Sequence, residues 1–153
     1  MKKNVLFVCT GNSCRSPMAE GYFNYLTKKK TLNMEARSAG TSTFCGFSPT
    51  AEAIQVMRDS GIDISNHKAR KLTLEMIDRA DIVAVMARGH KSRIHSEFGV
   101  FSGKLKLLKE YSCHADLKDM EIFDPIGKPL KEYKKCFESM KPAIEHMVEV
   151  LCK

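Results

Sequence analysis

Continuous apolar runs alternate with helical spacing from one end of the chain to the other. "NVLFVC" (residues 4–9) is almost wholly apolar, the pattern of a parallel strand buried on both faces. From residue 16 the period lengthens, and in "SPMAEGYFNYLTKK" (16–29) Met18, Tyr22, Tyr25 and Leu26 share one helical face. A strand, a turn and a helix therefore open the chain. "MEARSAG" (34–40) predicts a second strand ending in a glycine turn. "SPTAEAIQVMRDSG" (48–61) predicts a helix with Ser48 as N-cap, Pro49 in the first turn and Gly61 at its end. "LTLEMIDRA" (72–80) predicts a short helix opened by Thr73, and "DIVAVMA" (81–87) a third buried strand. "RGHKSRIHSEFG" (88–99) reads as a helix and "GKLKLLKEY" (103–111) as a short fourth strand. Long helical periodicity then fills 130–153, with a bend expected near Pro142.

With right-handed crossovers, this order predicts an α/β three-layer sandwich: a four-stranded parallel sheet in flavodoxin-like order, with helices on both faces. No repeat, low-complexity tract or linker interrupts the pattern, so residues 1–153 read as one domain with one full core. Ligands in such sheets sit beyond the carboxyl ends of the strands, where the winding reverses, and the loop after the first strand is a standard location.

Charge changes this picture little. The formal net charge of +7 raises the question of nucleic acid, but the basic residues are spread along the chain and no nucleic-acid-binding motif accompanies them. A solvated basic surface that attracts phosphorylated partners is the expectation, with no nucleic acid. The apolar runs are too short to span a membrane, and "MKKN" leads into a five-residue apolar run rather than a signal-peptide core. The protein is expected in the cytoplasm, as a monomer or weak dimer. Its six cysteines are expected as reduced thiols. They form no C-x-x-C pair, and the adjacent Cys113 and His114 are poorly placed to share an ion, so no metal is expected.

The chemistry concentrates in "CTGNSCRS" (9–16). Cys9 ends a buried strand, Gly11 opens backbone conformations closed to other residues, and Ser16-Pro17 has the cap-then-proline form of a helix start. The amides of Thr10, Gly11, Asn12, Ser13 and Cys14 can then curl around one point. Such a nest binds a tetrahedral oxyanion, and the Arg15 fork grips two of its oxygens. The same field favours a thiolate: reactive cysteines so placed have pKa values of about 3.5–7.5 rather than about 8.5. Cys9 is therefore expected as an anion at neutral pH, a nucleophile for phosphorus. C-x5-R alone is a weak signal; between a strand and a helix, followed by serine, it is a strong one. Because the loop curls, the Cys14 thiol can approach Cys9, and a reversible disulfide would protect the nucleophile. The alternative is that Cys14 packs beneath the loop.

"VCTGNSCRSPMAEG" (8–21) resembles the signature of the low-molecular-weight protein tyrosine phosphatase family. The likeness extends to "RSAGT" (37–41), "SNHKARKL" (65–72), "ADIVAVM" (80–86) and "FDP" (123–125), nearly the whole chain. By itself "FDPIG" is a turn with an aspartate before proline. The resemblance implies that Asp124 is the acid that protonates the leaving group and then the base that activates water. It also implies that Ser16 hydrogen-bonds the Cys9 thiolate and that Asn12, Ser38 and His67 form a network holding the loop. It assigns nothing to His90, His95, His114 or His146. Tyrosine-directed members usually carry an aromatic just after the Asp-Pro pair, where this chain has Ile126 and Gly127. Phe44 and Phe47 offer one cleft wall or belong to the core. The loop position before Cys14 is aliphatic in tyrosine-directed members and threonine in the bacterial branch that resembles protein arginine phosphatases; here it is Ser13. These features imply phosphotyrosine or phosphoarginine protein substrates, with a lean to phosphoarginine, and no cofactor.

Two other classes compete. A thiol-coupled arsenate reductase shares the fold and loop but needs further cysteines after the third strand, and residues 46–112 contain none. A non-catalytic phosphate-binding module would need neither Cys9 nor Asp124.

Overall fold

The computed structural model describes residues 1–101, 103–113 and 116–153. Four strands, β1 (Lys3–Cys9), β2 (Met34–Gly40), β3 (Ile82–Val85) and β4 (Leu105–Leu107), form one sheet in the order β2-β1-β3-β4. Every pairing is parallel, so the predicted α/β arrangement holds. The helices are α1 (Arg15–Lys29), α2 (Ala51–Asp59), α3 (Leu74–Arg79), α4 (Arg88–Phe98) and α5 (Leu130–Leu151), with a 3₁₀ turn at Leu108–Tyr111.

The apolar run of β1 is continuous because the sheet is covered on both sides. Val5, Phe7 and Cys9 join Met18 and Phe23 of α1, Met57 of α2, and Phe137 and Met140 of α5. Leu6 and Val8 join Ile77 of α3, Ile94 of α4, and Val83, Val85, Leu105 and Leu107 of the neighbouring strands. Burying each such side chain is worth about 1.5–3 kcal/mol. Edge-on aromatic packing adds to this, with ring centroids 5.9 Å apart for Phe7 and Phe23 and 5.3 Å for Tyr22 and Phe137.

Three elements differ from the sequence pattern. α1 begins at Arg15 with Cys14 in the N-cap place and no side-chain cap, so Ser16 lies inside the first turn, its hydroxyl turned to Cys9 rather than capping the helix. The second helix begins two residues later than its serine suggests: Thr50 is the N-cap, its hydroxyl accepting the Ala53 N–H at 3.3 Å. Ser48 Oγ instead accepts from Lys68 Nζ, and Pro49 is buried before the helix. The fourth strand stops at Leu107, where Glu110 Oε2 accepts the Leu107 N–H at 2.6 Å and turns the chain into the 3₁₀ segment. Thr73 caps α3 as predicted, accepting from Met76 N–H. α5 runs unbroken through Pro142, which lies on its exposed side, where the missing N–H costs least.

Candidate active site

β1 delivers Cys9 to the carboxyl edge of the sheet, and α1 begins at Arg15. The carbonyls of the loop between them are held from outside: Thr41 N–H donates to Cys9 O, Ser42 N–H to Thr10 O, and Thr50 N–H to Ser13 O, at 2.9–3.0 Å. Turning these carbonyls outward leaves the loop's amides for its concave side. The fit is close. A Cβ on Gly40 would stand 2.6 Å from Thr10 O and 3.1 Å from Asn12 N, so only glycine lets β2 end against the loop.

Asn12 has a left-handed backbone, with φ 53°. Its Oδ1 accepts the Arg70 N–H at 3.0 Å and faces His67 Nε2 at 3.1 Å. A backbone amide can only donate, so the amide orientation is settled: Nδ2 donates to Ser16 Oγ at 2.8 Å and to Ser38 Oγ at 2.9 Å. Ser16 Oγ, already an acceptor, then has its own proton for Cys9 Sγ, 2.8 Å away. His67 Nδ1 meets Glu20 Oε2 at 3.1 Å, which extends the network to α1. The structure thus brings Asn12, Ser16, Ser38 and His67 together behind the thiol. Glu20 and the Arg70 amide belong to the same network, although no local pattern marks them.

Arg15 is 5% exposed. Its Nη1 donates to Ile122 O at 3.0 Å, and its Nη2 lies 3.5 Å from both Thr10 Oγ1 and Asp124 Oδ2. Its Nε is buried with no partner among the described residues. A buried donor left unpaired costs about 1–3 kcal/mol, so a bound oxyanion has a ready place there. Asp124 sits half-exposed at the rim, its Oδ1 accepting the Ile126 N–H at 3.1 Å. Cys136 Sγ of α5 donates to Phe123 O at 3.5 Å and holds that turn.

Cys14 is a buried free thiol, 3.8 Å from Asp124 Oδ1. Burial first, then the Cys9 and Asp124 charges, push its pKa up to about 12, so it stays protonated at neutral pH. Ser13 is half-buried, and Phe44 and Phe47 are exposed rather than core.

His90, given no role by the sequence, reaches the loop. Its Nε2 is 2.8 Å from Thr10 Oγ1, and its Nδ1 accepts the Ala87 N–H at 3.1 Å. Burial first, then the Arg15 charge, push its pKa down to about 4. The signal that could have found it is topological. β1 and β3 are neighbours across the point where the winding reverses, so the β3–α4 turn faces the β1–α1 loop. His114 lies outside the described residues.

A strand-end thiol, a loop whose carbonyls are tied from outside, a buried arginine and an aspartate beside it define the class of cysteine-dependent phosphatases. The family described as low molecular weight phosphotyrosine protein phosphatase matches residues 4–153, and the chain belongs to it. The protein-arginine-phosphatase of Bacillus subtilis is 34% identical over 152 residues, covering 98% of this chain and 97% of that one. The solved low molecular weight protein tyrosine phosphatase from T. tengcongensis is 40% identical with a TM-score of 0.90, covering 97% and 99% of the two chains. Arsenate reductase 2 of Staphylococcus haemolyticus is also 34% identical, over 146 residues, 94% of this chain and 95% of that one.

Proposed function

We propose that this phosphatase acts on phosphorylated protein side chains, phosphoarginine ahead of phosphotyrosine, through a phosphoryl group carried on Cys9. The observation that carries the mechanism is Ser16 Oγ, 2.8 Å from Cys9 Sγ and accepting from Asn12 Nδ2, which leaves the hydroxyl proton free for a Cys9 thiolate, a group that can only accept. A thiolate so held attacks phosphorus. As the S–P bond forms, the bond from phosphorus to the substrate oxygen or nitrogen breaks, and protonated Asp124 gives its proton to the leaving atom. Arg15 and the loop amides of Thr10, Gly11, Asn12, Ser13 and Cys14 stabilise the charge on the three phosphoryl oxygens. In the second step Asp124, now a carboxylate, takes a proton from water; the water oxygen bonds to phosphorus, and Cys9 leaves as thiolate.

The small, polar Ser13 in the loop, and Ile126 in place of an aromatic after Pro125, support phosphoarginine, since a hydroxyl can hydrogen-bond a guanidinium. One feature supports phosphotyrosine instead. The segment carrying exposed Phe44 and Phe47 is tied to the phosphate loop at both ends, through Thr41, Ser42 and Thr50. Arsenate reduction finds no support after β3, where α4 carries His90 and no cysteine. The six free thiols fit a reducing compartment such as the cytoplasm.

Comparison of kcat/KM for a phosphoarginine peptide and its phosphotyrosine counterpart tests the substrate. A higher value for phosphoarginine is expected, and a strong preference for the aromatic peptide overturns it. Cys9→Ser should abolish phosphate release from p-nitrophenyl phosphate. Undiminished activity of that variant would remove the covalent mechanism.

A further inference from the structure

We propose that His90 is a positioning residue that aims the Thr10 hydroxyl proton into the phosphate-binding loop, making Thr10 a side-chain donor to the transferred phosphoryl group. The inference rests on the phosphatase reading above and adds one donor to the loop amides and Arg15. It follows from hydrogen-bond directions. The Ala87 N–H can only donate, and its partner is His90 Nδ1 at 3.1 Å, so Nδ1 carries no proton. A neutral imidazole then has its proton on Nε2, which donates to Thr10 Oγ1 at 2.8 Å. Arg15 Nη2, also a donor only, approaches the same oxygen at 3.5 Å. With N–H groups directed at its lone pairs, the Thr10 hydroxyl has one use left for its own proton, donation outward.

The outward side is the phosphoryl site. Thr10 directly follows Cys9 and is exposed, and its Oγ1 lies beside the guanidinium that grips the phosphoryl oxygens. The imidazole is 5% exposed and stays neutral at physiological pH, because burial and the Arg15 charge outweigh Asp124 and Glu121. An imidazolium would lose the Ala87 bond and free the ring to turn. A histidine that merely caps α4 would need no contact with Thr10.

The tautomer is read without any variant. A long-range ¹H–¹⁵N spectrum at pH 7 should show the Nε2–H form of His90, and an Nδ1–H form or an imidazolium overturns the proposal. In kinetics with p-nitrophenyl phosphate, Thr10→Val and His90→Ala should each lower kcat/KM about tenfold, the scale of a hydrogen bond to a charged group. Thr10→Ser and His90→Gln, which keep the hydroxyl and the N–H, should recover most of it. The double variant should be no worse than Thr10→Val alone. A His90→Ala protein with a lowered Tm and unchanged kcat/KM overturns the proposal, as do two losses that simply add. If the wild-type protein shows no Cys9-dependent turnover, the phosphatase reading fails, yet this one is still read. Calorimetric Kd for inorganic phosphate should weaken about tenfold when His90→Ala is added to Cys9→Ser, and an unchanged Kd sinks it.

Discussion

Asn12 commits both ends of its amide to holding neighbours, and that decides where the Ser16 proton points. Asn12→Asp keeps the shape but turns the Nδ2 donor into an acceptor, so the Ser16 hydroxyl proton is drawn away from Cys9. A hydrogen bond to a charged group is worth about 1.5–3 kcal/mol, or roughly 10- to 150-fold in rate. The expected outcome is a loss of that size both in kcat/KM and in the rate of Cys9 alkylation by iodoacetamide, followed by peptide mass mapping. Wild-type alkylation in Asn12→Asp would show that Asn12 does not direct Ser16. At this scale Cys9 and Arg15 were legible because seven consecutive positions, 9–15, carry their geometry, whereas the bond from Ser16 to Cys9 came only through family likeness. Ser38, His67 and Asp124 were legible only through family likeness, since their loops have no chemistry of their own until folded. His90 was not legible from any local pattern: its partner Thr10 is 80 positions away, and a histidine in a first helical turn looks like any other, so only the strand order brings the two together.

Local signals placed the elements well where one rule acted alone. The seven residues of β2 match the apolar pattern at both ends, and Thr73 caps α3 as its side chain suggests. They failed at α2, where two caps compete within three residues. Ser48-Pro49 has the better local form, yet Thr50 wins because its own N–H is also tied to Ser13 O of the phosphate loop. Tertiary hydrogen bonding therefore selected the cap, and the start of α2 is coupled to the site. Thr50→Ala should cost about 1 kcal/mol of unfolding free energy, the usual scale for losing a cap, whereas Ser48→Ala should fall within about 0.5 kcal/mol of wild type. Urea unfolding of both variants checks this, and the reverse ranking would restore Ser48 as the cap. β4 is a second case: its apolar period continues past Leu107, but the Glu110 carboxylate captures the Leu107 amide and ends the strand.

The sheet order β2-β1-β3-β4 explains why the site is assembled from remote segments. The central β1 is flanked by β2 and β3, so its loop receives Ser38 and Gly40 from one side, Ala87 and His90 from the other, and Ile122 and Asp124 from the approach to α5. This convergence buries an imidazole inside the fold, and that burial couples the whole molecule to pH. His90 titrates near 4 in the folded protein against about 6.5 in an unfolded chain, so between these values the unfolded state binds more protons. The sign follows: its contribution to stability is fully present above about pH 6.5, declines as pH falls, and is gone below about 4. Asp124 and Glu121, which face the ring, oppose the shift, while Arg15 reinforces it. Carboxylates elsewhere change stability over the same range but act equally in a His90→Gln variant, so the difference between the two proteins isolates the histidine. Urea unfolding at pH 7, 5.5 and 4.5 should show wild type losing stability relative to His90→Gln at each step down. Parallel curves across that range would mean that the imidazole is not held neutral by the fold.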